Sequence, residues 1–222
     1  LYNDGYGGAA HLAVAHHGFE FLRDRMWDKV FGGFFWSVDN AGEIATRPHK
    51  HLYAQGFALY ALAEYIEATA DSSAIALANE LFELLEAQAH DGEYGGYLEW
   101  FRRDWQPGPE TGTYMSTPPG GKLMNTHLHL MEPLTTYYQA SGDERVRERL
   151  LELIFVQSNA VVRKENPWAS LSFFQAGFTS ANISCWNSAN HLFDRVSSPP
   201  PSYSTRRPEV RTMGNSSETS CS

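Results

Sequence analysis

Residues 122–133 read KLMNTHLHLMEP, which sets His127 and His129 one residue apart beside Asn125 and Glu132. If the stretch is helical, residues two apart point about 200° from each other, so the two histidines cannot reach one metal ion. Asn125, His129 and Glu132 instead share a face, with Tyr137 a further turn along. Imidazole, titrating near neutrality, can both take and give a proton, so His129 is the residue whose type suits acid–base chemistry. Three polar groups on a helix otherwise made of Leu123, Leu130, Met131 and Leu134 mean either a satisfied structural network or a polar-lined pocket. An unpaired buried polar group would cost roughly 1–3 kcal/mol. Glu99 and Glu132 are the right types for the carboxylate pair of a glycoside hydrolase, but nothing in their spacing supports that. His11, His16, His17, His49, His51 and His90 read as surface or helix-end residues.

The elements that position these groups follow from apolar periodicity. Leu12, Ala15, Phe19, Leu22 and Met26 step by three and four, as one helical face does. A second helix over about 50–68 carries Leu52, Gly56, Leu59, Leu62 and Ile66 on one side and Tyr53, Phe57 and Tyr60 on the other, a pattern that predicts burial nearly all round. Asp71 or Ser72 caps a third helix reaching about His90, a fourth runs over about 122–140, and a fifth starts at Asp143.

Two aromatic excursions interrupt the helices. WDKVFGGFFWSVDNAGE precedes the second and DGEYGGYLEWFRRDWQP the fourth, with Asp28 and Asp91, Phe31 and Tyr94, the two Gly pairs, and Phe34 and Tyr97 each 63 residues apart. A repeat of that length and content means stacked αα-hairpins that close into a bundle, solenoid or toroid. Gly32 and Gly95 should then lie at the same end of the helices and close in space.

Composition narrows the partners. The 222 residues are 42% hydrophobic and carry a net charge of -9 without a basic run, which excludes a phosphate-backbone binder. No window is apolar enough to span a membrane. Cys185 and Cys221 both fall late, which argues against a disulfide framework and for a reducing, cytoplasmic compartment. Leu1 is not a start methionine, so a leader or earlier helices outside the sequence stay open. Residues 1–165 read as one domain. Residues 166–222 diverge, and from Val196 eight Ser and four Pro predict a largely disordered tail.

Four stretches in order, WDKVFGGFFWSVDNAG, KHLYAQGFALYALAEY, YGGYLEWFRRDW and MNTHLHLMEP, resemble the N-acylglucosamine 2-epimerase family, which includes cellobiose 2-epimerases and mannose isomerases. The resemblance implies an all-α fold, an (α/α)6 barrel with a mono- or disaccharide in its central cavity. With two to three of six hairpins, this chain is expected to be an incomplete barrel. The implied chemistry is proton transfer at C2 of a ring-opened reducing sugar through a cis-enediolate, with no metal and no cofactor.

Carried over by motif, His129 serves ring opening or proton transfer, and Asn125 and Tyr53 bind hydroxyls, while His127 turns to packing. The family's pocket arginine has no match here. The segment of the form GHDIEASW that bears a further histidine is absent from ISCWNSANHLFDRV, where His191 is out of register. The chain by itself is therefore expected to be inactive. Alternatives are a glycoside hydrolase on the same toroid and a non-catalytic sugar- or protein-binding module. A homodimer is the candidate assembly.

Overall fold

The computed structural model describes residues 1–109, 117–158 and the backbone of 173–175. The cysteines, His191 and the expected tail lie outside the described residues. Five helices alternate with short strands: α1 (Ala9–Phe21), β1 (Ser37–Val38), β2 (Ala45–Arg47), β3 (Lys50–His51), α2 (Leu52–Thr69), α3 (Ser72–Gln88), β4 (Trp100–Phe101), β5 (Gly121–Leu123), α4 (Met124–Ser141), α5 (Glu144–Val156) and β6 (Phe173–Gln175). A single π-helical turn, Leu22–Met26, extends α1.

Each boundary has a local cause. Asp71 accepts from the free N–H groups of Ser73 and Ala74 to start α3, and Asp143 accepts from Arg145 to start α5. α2 and α4 end on left-handed residues, Ala70 at φ 52° and Gly142 at φ 67°. The starts of α2 and α4 fall two residues later than periodicity placed them. Lys50–His51 pairs antiparallel with Trp100–Phe101, and Gly121–Leu123 with Phe173–Gln175, so these residues are strand before they are helix.

Helices α2–α3 and α4–α5 form two antiparallel hairpins, and α2 lies against α4 along its length. Gly56 permits that approach, because a Cβ there would meet Leu130 at 2.9 Å. The core is built from Leu59, Leu62, Leu81, Leu134, Leu150 and Leu153 among others, all with almost no exposed surface. Each such leucine contributes roughly 1.5–3 kcal/mol of burial.

One packing expectation is corrected. Helix α2 is not buried all round: Phe57 is 42% exposed, because the Tyr53–Phe57 side faces an open groove. On α1 the stripe is buried only at its end, where Phe19 stacks on Tyr65 at 4.7 Å, while Ala15 is exposed.

Both excursions stand at the N-terminal end of α2 and α4. Beyond the β3–β4 pair, Arg103 reaches Asp28 and the Trp105 indole N–H donates to the Phe31 carbonyl, so the second excursion rests on the first. Gly32 and Gly95 thus lie at one end, as the repeat predicted.

Candidate functional site

Where α2, α4 and the first excursion meet, rings from three elements converge. His129 on α4 meets Tyr53 of α2 edge-on, centroids 5.4 Å apart, and Phe57 at 5.6 Å. Tyr53 in turn packs on Phe57 at 4.8 Å and approaches Trp36 of the first excursion at 6.4 Å. The groove beside them has a volume of about 320 Å³ and is lined by Met26, Phe34, Phe35, Trp36, Tyr53 and Phe57 among others. Flat apolar walls with a few polar groups at the rim are how proteins hold a sugar's CH faces while addressing its hydroxyls.

The sequence-predicted residues divide clearly. Tyr53 and His129 are brought together, and Asn125 sits exposed one turn before His129 on the same face of α4. His129 is about one-third exposed, and its Nδ1 lies 3.1 Å from Glu132 Oε2. The carboxylate fixes the ring's proton on Nδ1 and leaves Nε2 as the acceptor. Tyr137 does not join them: it is buried, its hydroxyl donates to Asn79 on α3, and it lies about 12 Å further along the helix axis than His129.

His127 has a separate task. It has no exposed surface, its Nε2 accepts from the Tyr97 N–H at 2.9 Å, and its Nδ1–H donates to the Leu123 carbonyl at 2.7 Å. Burial lowers its pKa to about 4, so it is neutral at physiological pH. This histidine holds the second Gly-Gly loop to α4.

The carboxylate pair suggested for hydrolysis is not realised. Glu99 is 0% exposed and cannot reach a glycosidic oxygen, whereas Glu132 is 52% exposed beside His129. Glu99 is surrounded by protein: Oε1 accepts from Thr126 Oγ1 at 2.5 Å, Oε2 from the Leu123 N–H at 3.3 Å, and His51 Nε2 lies 3.4 Å from Oε1. Burial pushes its pKa up to about 7, opposed by the bonds from Thr126 and Leu123, and burial lowers His51 to about 4. Sequence reading placed His51 at a helix end, which is right, but missed its burial. It missed Trp36 too, although the aromatic run around the Gly pair was the available signal.

Among the described residues no three His, Cys, Asp or Glu side chains are grouped as a metal site requires, and no helix is long and apolar enough to cross a membrane.

Antiparallel helical hairpins, with short strands and aromatic loops gathered at the N-terminal ends of α2 and α4, define an all-α helical-hairpin protein as the class. The N-acylglucosamine 2-epimerase (GlcNAc 2-epimerase) family matches over residues 1–192, and the chain belongs to it. It is 33% identical over 168 residues to a cellobiose 2-epimerase of Bacteroides fragilis, covering 75% of this chain and 42% of that protein. The solved cellobiose 2-epimerase of Spirochaeta thermophila superposes with a TM-score of 0.66 at 35% identity, over 72% of this chain and 41% of the other. The chain thus spans about two-fifths of these relatives, and its described hairpins are part of an (α/α)6 barrel. An endo-β-1,4-glucanase of Acetobacter xylinum, at 13% identity and a TM-score of 0.54 over 85% of this chain and 54% of its own, shares the fold alone.

Proposed function

We propose that this chain carries one wall of the sugar site of a 2-epimerase or aldose–ketose isomerase, with His129 as the proton-transfer group and Tyr53 and Asn125 as hydroxyl-binding groups. The observation that carries it is the meeting of His129 and Tyr53 across α2 and α4, at the rim of an aromatic groove and with Glu132 fixing the imidazole proton. In that arrangement Nε2 of His129 removes the proton alpha to the aldehyde of a ring-opened sugar. A single group of this kind lowers a barrier by roughly 10²–10⁴ in rate. The cellobiose 2-epimerase relatives make a β-1,4-linked disaccharide the first substrate to test, ahead of mannose and N-acetylmannosamine.

On this reading the chain alone does not epimerise, because reprotonation from the opposite face needs a second histidine and the GHDIEASW-like segment has no counterpart here. The test is therefore a chimera in which this chain's matching residues replace their counterparts in the Bacteroides fragilis cellobiose 2-epimerase. In D2O the chimera should exchange deuterium into C2 of cellobiose at unchanged mass otherwise and unchanged linkage. Its His129→Ala variant should lose that exchange by about 100-fold or more. Near-normal exchange by the variant would remove His129 from the mechanism, and cleavage of the disaccharide would favour a hydrolase instead.

A further inference from the structure

Behind the groove wall, one buried carboxyl is shared by the two helices that bear the site. Glu99 accepts from Thr126 Oγ1 and the Leu123 N–H at the start of α4. Toward α2 its Oε1 faces His51 Nε2, and His51 Nδ1 accepts from the Tyr53 N–H at 3.3 Å as the helix cap. Since Nδ1 is an acceptor there, the ring proton is on Nε2, on the side of Glu99. The Glu99 main chain repeats the pattern: its carbonyl accepts from Leu52 N–H at 2.8 Å and its N–H donates to the Gly121 carbonyl at 3.0 Å. Trp36 stands edge-on to the same His51 ring at 4.9 Å.

We propose that Glu99 is a positioning residue, which sets the placement of Tyr53 against Asn125 and His129 by tying the N-termini of α2 and α4 to one carboxyl. It acts through His51 on one side and through Thr126 and Leu123 on the other. The inference rests on the sugar-site reading for its consequence, but its geometry stands apart from it.

Chemistry explains why a carboxyl is kept where packing alone would favour an apolar side chain. Burying an ionisable group is costly, and a leucine of similar volume would serve packing as well. What a carboxyl adds is direction: its two oxygens accept from Thr126 and Leu123 at the start of α4, while the same Oε1 stands 3.4 Å from His51 Nε2 on the α2 side. The tied atoms are close in sequence to the functional ones: Thr126 follows Asn125, and His51 is two residues before Tyr53. A misplacement of about 1 Å in such a site costs up to about 100-fold in rate. The charges facing Glu99 are few. His51 comes from β3, α4 offers only the Thr126 hydroxyl and the Leu123 amide, and Lys50 and Lys122 turn instead to Asp28 and Asp91.

Nuclear magnetic resonance on the 222-residue chain tests this directly. Glu99→Gln keeps the shape but sets an amide NH2 against donors. It should shift the Tyr53 and Asn125 amides and the ring nitrogens of His51 and His129, with Leu81 and Leu153 unmoved. Thr126→Val removes one bond of the α4 arm and leaves the Leu123 amide and His51 in place, so Asn125 and His129 should shift clearly more than Tyr53. In the wild type the Tyr53 and Asn125 amides should share an inflection near pH 7, where burial puts the Glu99 carboxyl, and Glu99→Gln should remove that shared inflection, which a purely space-filling residue would not produce.

Cellobiose titrated into the chimera with the Bacteroides fragilis enzyme should bind roughly tenfold or more weakly when Glu99→Gln is present, as expected of a misplaced hydroxyl-binding wall. Glu99→Gln leaving either helix's signals in place, or Thr126→Val moving both helices alike, overturns the proposal. A chimera that does not bind cellobiose overturns the sugar-site reading, and the amide and ring shifts of the chain then decide the positioning role alone. Should Glu99→Gln not fold, the Thr126→Val pattern decides it in the same way.

Discussion

The two Gly-Gly excursions are built to one plan and finished differently. In the first, Asp28 Oδ1 accepts from Val30 and Phe31; in the second, Asp91 Oδ1 accepts from Glu93 and Tyr94. Gly32 and Gly95 each donate to the aspartate's carbonyl at 2.8 Å. A buried lysine from the short strand that leads into the next helix, Lys50 or Lys122, then closes each loop by reaching both the carboxylate and a glycine carbonyl. One turn further on, that helix ties down the residue after the glycines, through Gln55 to Phe34 and through His127 to Tyr97.

Lys50 and Lys122, and Gln55 and His127, are each 72 residues apart, so on the same register Tyr53 corresponds to Asn125, Phe57 to His129 and Tyr60 to Glu132. The anchors keep their function while the groove-facing positions change chemistry. A repeated frame with a varied face is the economy of hairpin toroids.

The largest expected effect of breaking the frame is at Asp28. It holds Lys50, which has no exposed surface, and a bidentate Arg103, and although burial works against ionisation these bonds keep its carboxyl well below the usual range. Asp28→Ala would leave Lys50 buried without a counter-charge, at a cost of roughly 3–5 kcal/mol. Asp91→Ala should cost less, about 2–3 kcal/mol, since Asp91 is partly exposed and holds one lysine. Urea midpoints at an unchanged slope measure both, and equal losses would show that Arg103 adds nothing.

Next is His127→Gln, which puts into the second excursion the residue type that serves the first. His127 titrates near 4 when folded and near 6.5 when unfolded, so between those values the unfolded chain binds more protons and stability rises with pH. Its contribution is complete above about 6.5 and is lost as pH falls toward 4. His51 acts in the same direction, while Glu99, raised to about 7, acts in the opposite one. Comparing the variant with wild type isolates His127. The variant should match wild type at pH 7 to within about 1 kcal/mol and retain up to about 3 kcal/mol more at pH 4. Parallel stability–pH curves would show that the histidine is not held neutral.

Much of this plan was legible in the sequence, and what was not has physical reasons. Helical periodicity and the 63-residue spacing mark the helices and loops, because both are local patterns. The lysine and the Gln or His that close each loop were not visible, since their spacing from the loop differs by nine residues between the two copies and their partners are set by tertiary contact. Short strands such as Lys50–His51 run into helices without a break in composition, which moved two helix starts. Asn125 and His129 stood out by their shared helical face and residue type, while Tyr53 and the roles of all three came from motif resemblance. Glu99 and His51 have types that read as surface residues, and only folding reveals that they are sealed.

The glycines sharpen the comparison at smaller scale. Gly33 and Gly95 both have positive φ, 70° and 73°, so alanine is strained at either. A Cβ at Gly33 would also meet the Trp105 ring at 2.5 Å, whereas at Gly95 the nearest atom is 3.5 Å away. Gly95→Ala should cost about 1 kcal/mol and Gly33→Ala distinctly more, about 2–3 kcal/mol, by thermal or urea unfolding. A reversed order would mean that the two excursions do not rest on each other as Trp105 and Phe31 indicate.

The smallest effect on stability, and the sharpest separation of frame from face, is expected at His129→Phe, which gives α4 the residue that α2 carries at the corresponding position. A phenyl ring keeps the aromatic contacts with Tyr53 and Phe57. What it loses is the bond to Glu132, a partly exposed pair worth about 0–1 kcal/mol. Stability should therefore stay within about 1 kcal/mol of wild type, while in the chimera with the Bacteroides fragilis enzyme C2 exchange should vanish, because phenyl cannot accept a proton. Phe57→His added to that variant should not restore exchange: the residue three positions on is Tyr60 rather than a glutamate, so no carboxylate stands there to fix the ring's proton on Nδ1. Unfolding measurements on the chain and deuterium exchange on the chimera decide the matter together. A loss of stability as large as that of Asp28→Ala would place His129 in the frame with His127, and the difference between the two histidines would disappear.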